Sequence, residues 1–535
     1  ATVDQGTLRR DGDGRSGPER TRRERRDAGR FAGRNRHPAG DFTQLSGAAV
    51  RAPAQERAGA ERARSGRRLP PGAGPRGDHG GRDRAGRGRA DPGHALFGPG
   101  HAARLHDGRR ALHHPQSVGR PGRRDPRLSG GGVAGGRGPE PHRRAPPVAG
   151  PGHGGGGVSV YLDYNASGLV RPEVQEAMAK ALADNGNPSA VHAAGRRARA
   201  RIETARAQVA DLVGADPTAV IFSSGGTESN AQAIVSALAG GCERLIVGAT
   251  EHPCVAEAAM VSGAPVEVLP VDADGVVDLA WLAEALARPG KAVVAIHHAN
   301  NESGVIQPIA EAAKLVRAAG GWLHVDAIQS AGKVPVDMRA LDADTLTLSA
   351  HKLGGPQGVG ALVLKPGREG VRILHGAGQE RGLRAGTENV PGLTGFGVAA
   401  DCAARDLDDA MAHVGWRDAA EARVKAAGAT IIGGAVARLP NTLFMAVEGW
   451  DSPQQLITLD LAGVMISAGS ACSSGKTKPS KTISAMGLDH LATGGVRVSG
   501  GWGTTEQDWI RFADAWIAAY EKHVARVSER AREVA

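Results

Sequence analysis

The chain has 535 residues and a formal net charge of +10, but that charge belongs to one end of it. Residues 1–157 hold 32 Arg against 15 acidic residues and contain no Lys, Ile, Met, Tyr, Trp or Cys, whereas 158–535 hold 34 basic against 41 acidic residues. No run of about 18 apolar residues spans a membrane, the first residues lack the apolar core of a secretory signal, and Cys242, Cys254, Cys402 and Cys472 are spaced for neither a zinc site nor a disulfide framework, so a cytoplasmic protein is expected.

In chain order, the first segment is expected to have no fold. Residues 1–157 are dominated by Arg, Gly, Pro, Ala and His. So few large apolar groups cannot offset an ordering entropy of roughly 1–2 kcal/mol per residue. The same composition arises when GC-rich DNA is read out of frame or upstream of a start, which would put the beginning near Val158 or Val160. A basic, Gly-rich arm can meet nucleic-acid phosphates. Only Phe31, Phe42 and Phe97 are there to stack on bases, so nucleic acid is not the expected partner.

From Val158 the pattern alternates between helices and short apolar runs. Pro172 suits a first helical turn, with Val174, Met178 and Leu182 on one face. A second helix carries Ile202, Val209, Leu212 and Val213 and stops at Gly214. Buried strands are expected at Val220–Phe222, Leu245–Val247, Val293–Ile296, Leu323–Val325 and Thr345–Leu348, with helices at 228–239 and 309–319 between them. This is a βαβ series around a mostly parallel sheet, an α/β fold. After about residue 395 the helices lengthen, which suggests a smaller second lobe. The expected domains are 1–157, 158–395 (with 158–185 also packing on the small domain) and 396–535.

Polar residues follow the expected strands, where such sheets bind ligands. Gly225-Gly226-Thr227 reads either as a flexible turn or as a phosphate cup of backbone N–H groups at a helix N-terminus. Lys352, after an apolar strand, reads as a solvated surface group or as a Schiff-base lysine. Asp326 reads as a helix cap or as the partner of a pyridinium nitrogen. Taken together, cup, lysine and aspartate favour a pyridoxal-phosphate site.

The stretches YLDYNAS (161–167), GNPSAVH (186–192), SSGGTESN (223–230), EHP (251–253), HANNESGVIQP (298–308), HVDAIQSAGK (324–333), SAHKLGGPQGVGAL (349–362), GQERGLRAGTENVPG (378–392) and SAGSACSSG (467–475) resemble the cysteine desulfurases of the class V aminotransferase family. These have the aspartate-aminotransferase-like fold type I: a large domain with a mostly parallel sheet and a smaller α/β C-terminal domain. The resemblance spans nearly all of 158–510 and none of 1–157. It implies that Lys352 carries pyridoxal phosphate, Asp326 meets the pyridine nitrogen, Gln329 the phenolic oxygen, and His252 stacks on the ring and takes part in catalysis. Gly226, Thr227, Ser349 and His351 would bind the phosphate, with Thr387 reaching the phosphate of a second subunit in a homodimer. Asn301, beside the cofactor, and Arg497 would hold the substrate carboxylate, for which a guanidinium fork is suited.

Cys472, among small residues of a loop, would take sulfur from L-cysteine as a persulfide, release alanine, and pass the sulfur to an acceptor such as an iron–sulfur scaffold protein. No resident metal is implied; Cys472 could serve as a transient iron–sulfur ligand. Cys242 and Cys402 read as packing residues, and Cys254 is discounted as a site residue. Two stretches depart from the family's pattern: Ala166-Ser167-Gly168, where two threonines are common, and Ser499-Gly500-Gly501-Trp502-Gly503, where Ser-Leu-Gly is usual. The alternatives are another class V enzyme, either a selenocysteine lyase or an aminotransferase, and a nucleic-acid-binding protein acting through the arm.

Overall fold

The computed structural model describes residues 159–469 and 479–534, which fall within one compact unit, 132–535. The arm 1–157 and Cys472 lie outside the described residues.

Strand β1 (Val160–Tyr161) leads into helices α1 (Pro172–Ala183) and α2 (Ala193–Leu212). On α1, Val174 is buried and Met178 packs on the core, but Leu182 is 67% exposed and Ala181 takes the inward position. The turn angle explains the difference. At 3.6 residues per turn, a seven-residue step returns to within about 20° of the same face, and an eight-residue step misses it by about 80°. Helix α2 buries Ile202 and Val209 as expected, and the chain turns out of it at Gly214, where φ is +62°.

There follow β2 (Val220–Ser223), α3 (Gly226–Ala239), β3 (Arg244–Gly248), α4 (Pro253–Val261), β4 (Val266–Leu269), α5 (Leu279–Leu286), β5 (Ala292–His297), α6 (Ile309–Ala318), β6 (Trp322–Asp326), α7 (Met338–Leu341), β7 (Thr345–Ser349) and β8 (Gly360–Leu364). The seven strands β2 to β8 form one sheet in the order β2-β8-β7-β6-β5-β3-β4, parallel except for β8. The sequence reading had picked out neither β4 nor β8. Leu245, Val247, Val293 and Ala295 pack with Ile234 of α3 and Val255 of α4. Ile246, Val294, Ile296 and Leu346 face the opposite core, with Ile202 of α2, Val316 of α6 and Phe396 of α8 (Val390–Arg405). Burial on both faces is why these strands read as continuous apolar runs.

Beyond α8 come α9 (Leu407–Ala427), β9 (Thr430–Ile431), β10 (Thr442–Ala446), α10 (Ser452–Leu461), β11 (Val464–Met465), β12 (Ser467–Ala468), α11 (Lys481–Ala485), β13 (Val496–Ser499) and α12 (Glu506–Val534). Strands β12-β13-β10-β9 make an antiparallel sheet, and β11 pairs in parallel with β1. Val160 and Leu162 join the core of this C-terminal part, beside Leu443, Val498, Phe512 and Trp516. The next residues, from Asp163 on, are thereby carried to the carboxyl edge of the large sheet. Among the described residues, no helix is long and apolar enough to cross a membrane.

Candidate active site

Because β2, β3, β5, β6 and β7 run the same way, Ser223, Gly248, His297, Asp326 and Ser349 end them on one edge. Gly225, with φ +153°, is the N-cap of α3. A Cβ on Gly226 would stand 2.2 Å from Ile328 Cδ1, so the first turn of α3 lies tight against the chain leaving β6. A cavity of about 380 Å³ opens at this helix end, lined by Ser224, Gly225, Gly226, Thr227, Ser349 and His351, among others. The four residues expected to bind phosphate thus line a single hollow. Burial, then the Lys352 charge, pushes the His351 imidazole down to about 4, which leaves it neutral. The cup therefore holds a helix N-terminus, hydroxyls, a neutral ring and the Glu228 carboxylate, whose charge Arg384 offsets, a setting that can take an anion at the helix end.

Lys352 closes a 3₁₀ turn, Ala350–Lys352, directly after β7. Its Nζ donates to the carbonyl oxygens of Asn165 (2.5 Å) and Ala166 (2.8 Å). Burial first, and the Arg497 charge second, push its ammonium down from 10.5 to about 8. Asp326 is buried at the end of β6; its Oδ1 accepts the Ile328 N–H at 2.9 Å and its Oδ2 the Asn230 Nδ2 at 2.8 Å. Burial, then the Glu251 charge, raises its proton affinity.

His252 caps α4 by accepting the Cys254 backbone N–H at Nδ1 (3.2 Å). An amide N–H can only donate, so Nδ1 carries no proton. Burial pushes this imidazole down as well, and its neutral form therefore bears the proton on Nε2. The discounted Cys254 does line the site: its Sγ stands 3.0 Å from His252 Nδ1 and 3.2 Å from Asn230 Nδ2. Burial pushes this thiol up to about 12, so it is not a nucleophile near neutral pH. Cys242 and Cys402 are buried, as expected of packing residues.

Arg497, in β13, is buried; Nη2 donates to Asp163 Oδ1 at 2.7 Å and Nη1 to the Asn301 carbonyl at 2.9 Å. Its buried Nε has no partner among the described residues. Thr387 is exposed. Near it, Arg384 pairs with Glu228 at 3.0 Å beside the cup. Burial opposes ionisation of Glu228, but Arg384 and the Ser224 hydrogen bonds together outweigh it and hold the carboxyl below its ordinary range.

Residues 160–512 match the aminotransferase class-V family. The chain belongs to that family. It is 39% identical to a cysteine desulfurase IscS of Dictyoglomus turgidum over 65% of this chain and 91% of that protein. It is 41% identical to a cysteine desulfurase of Sinorhizobium fredii over 64% of this chain and 91% of the other. Among solved structures it resembles a NifS-like protein from Rickettsia africae at 32% identity, with a TM-score of 0.63, over 68% of this chain and 99% of that one.

Within this class-V fold, the sequence reading assigned no role to three residues of the site. Asp163 pairs with Arg497, Asn165 receives Lys352, and Lys333 lies buried against Asn165 and Gln329. Their signal was their presence inside YLDYNAS and HVDAIQSAGK, but spacing alone does not bring the two stretches together. The Gly500-Gly501-Trp502 departure has a packing cause. A Cβ on Gly501 would stand 1.9 Å from the Tyr164 ring, so that ring occupies the space of a side chain. Trp502 donates Nε1–H to the Leu169 carbonyl at 2.7 Å and lies under the Arg171 guanidinium.

Proposed function

We propose that this protein is a pyridoxal-phosphate-dependent L-cysteine desulfurase that makes alanine and an enzyme persulfide. The observation that carries the proposal is the convergence, on one sheet edge, of an anion cup, a half-buried lysine of lowered proton affinity and a buried aspartate. The class-V family implies pyridoxal phosphate, and these residues fit it. The phosphate suits the cup at α3, and the ring suits the span between His252 and Asp326. A pyridine nitrogen suits a carboxyl whose raised proton affinity keeps a proton shared between the two. When bound, this cofactor withdraws electrons from the bonds of an attached amino acid.

The chain's own groups do the rest. Lys352, partly neutral near pH 8, is the amine that holds the cofactor. It is also the nearby base that can move a proton at the substrate's α-carbon. Arg497, with its unpartnered Nε, and Asn301 hold the substrate carboxylate. His252 presents its Nε2–H as a hydrogen-bond donor. The Cys472 thiolate attacks the sulfur of the bound cysteine: an S–S bond forms, the substrate's C–S bond breaks, and a proton goes to the carbon that becomes alanine's methyl group. The sulfur then passes to an acceptor, read here as an iron–sulfur scaffold protein, in a cytoplasmic homodimeric enzyme. The names of the curated relatives favour this reaction over a selenocysteine lyase or an aminotransferase.

Replacement of Cys472 by serine tests the division of labour. Cys472→Ser should bind cofactor normally and still change its visible spectrum with L-cysteine. It should form alanine at least about 100-fold more slowly, because a hydroxyl is a far weaker nucleophile than a thiolate near neutral pH. Alanine per cofactor and the mass of the wild-type loop peptide are the measurements. Alanine formation at the wild-type rate would sink the reading.

A further inference from the structure

The chain leaving β6 makes a helical turn, in which the Ala331 N–H reaches the Ala327 carbonyl and the Val334 N–H the Ser330 carbonyl. Four residues apart on it, Gln329 and Lys333 lie one above the other. Both are buried, as is Asn165 on the segment arriving from β1. Lys333 Nζ donates to Gln329 Oε1 at 2.9 Å and to Asn165 Oδ1 at 2.8 Å. Gln329 Nε2 donates to the Asn165 backbone carbonyl at 2.9 Å, the same oxygen that takes Lys352 Nζ at 2.5 Å. Asn165 Nδ2 donates to Thr442 Oγ1 at 2.9 Å.

We propose that Lys333 is a positioning residue of this site. By holding Gln329 Oε1 it fixes which way the amide faces, so that the remaining N–H of Gln329, and not its carbonyl, is offered to the cofactor's phenolic oxygen. The inference rests on the functional reading above. An amide whose oxygen and nitrogen could exchange would present either a donor or an acceptor to that oxygen. Here two contacts act together on the orientation, the lysine on Oε1 and the Asn165 carbonyl on Nε2, and losing the first frees the amide to turn. The lysine side chain gives both its Gln329 and its Asn165 contact as a donor, and the Asn165 backbone carbonyl can only accept. An amine bears enough hydrogens for both contacts whether or not it is charged, so the arrangement does not depend on the ionisation of Lys333. Through Asn165, the same lysine anchors the carbonyl that receives Lys352. An ordinary structural lysine would tie two chain segments together without affecting the cofactor.

The test uses full-length holoenzyme and reads the pH midpoint of the bound cofactor's visible band. A hydrogen bond to the phenolic oxygen favours the proton-poor form, which concentrates negative charge there, so losing the bond raises the midpoint. Lys333→Met should raise it by about one unit, a tenfold change in proton affinity, with thermal unfolding near that of the wild type. Lys333→Arg, which keeps the donors, should stay close to the wild-type midpoint. In a Gln329→Leu background, Lys333→Met should add nothing further, because the two act through one hydrogen bond. An unchanged midpoint in Lys333→Met, or shifts that simply add in the double variant, would overturn the proposal. Should Lys333→Met not fold, Lys333→Arg decides: a folded Arg variant with the midpoint of Gln329→Leu also overturns it. A wild-type protein that takes up no cofactor would sink the functional reading itself, and this is checked before any variant is compared.

Discussion

At the scale of single residues, the site works by moving side chains away from their solution behaviour. Lys352 is the clearest case. Only a neutral amine attacks a carbonyl, and burial with the Arg497 charge brings the midpoint down from 10.5 to about 8. The proton is therefore lost more readily than from a free lysine. Covalent uptake of pyridoxal phosphate by the apoenzyme should accelerate as pH rises through about 8 and level off above it. Stopped-flow absorbance measures this directly; a rate still climbing near pH 10, where an unshifted lysine titrates, would contradict the assignment. Cys254 shows the opposite use of burial. Its thiol is held protonated beside His252.

At the scale of elements, the connection from β8 to α8 is held by one buried ion pair. Glu380 and Arg381 have φ of 46° and 55°, a left-handed conformation that costs non-glycine residues about 1 kcal/mol or more each. The Glu380 carboxylate compensates: it takes Arg206 of α2 in two hydrogen bonds, 2.7 and 2.8 Å, and the Phe222 N–H of β2 at 2.9 Å. Burial alone would push the Arg206 guanidinium down, and Glu380 with Glu203 outweighs it. Both side chains are 2% exposed, so removing one charge strands the other. Glu380→Gln should destabilise the fold by about 3 kcal/mol in chemical denaturation. A loss below about 1 kcal/mol, the range of exposed pairs, would show that the clamp is not what holds this turn. The same turn leads to Arg384 at the cup and on to Thr387, so its stability bears on cofactor retention.

At the scale of the whole molecule, the exposure of Thr387 fits a role toward a second copy of the chain. A closed two-fold dimer is the commonest way to supply such a residue reciprocally. Sedimentation of the holoenzyme should give twice the protomer mass. Thr387→Ala should release cofactor about tenfold faster, the cost of a hydrogen bond to a charged group. A fully active monomer would reject this arrangement.

The sequence alone determined five of the seven strands of the large sheet and the helix that starts beside Gly225. Val293–Ile296 is apolar on both faces, which a covered parallel strand requires, and Gly225-Gly226-Thr227 marks the turn into a helix. It also marked Lys352 and Asp326, because charged residues ending apolar runs stand out, whereas Arg497 entered only through the family resemblance. What the tertiary structure decided is which of those charges act on one another. Asp163 reaches Arg497 across more than 300 residues of chain, and Asn165 meets Lys333 and Lys352 only because Val160 and Leu162 pack on the C-terminal sheet. Local patterns report period and burial, which neighbouring residues set. The lowered proton affinity of Lys352, the orientation of Gln329 and the space Tyr164 claims at Gly501 arise from groups far apart in sequence, so they exist only once the chain has closed on itself.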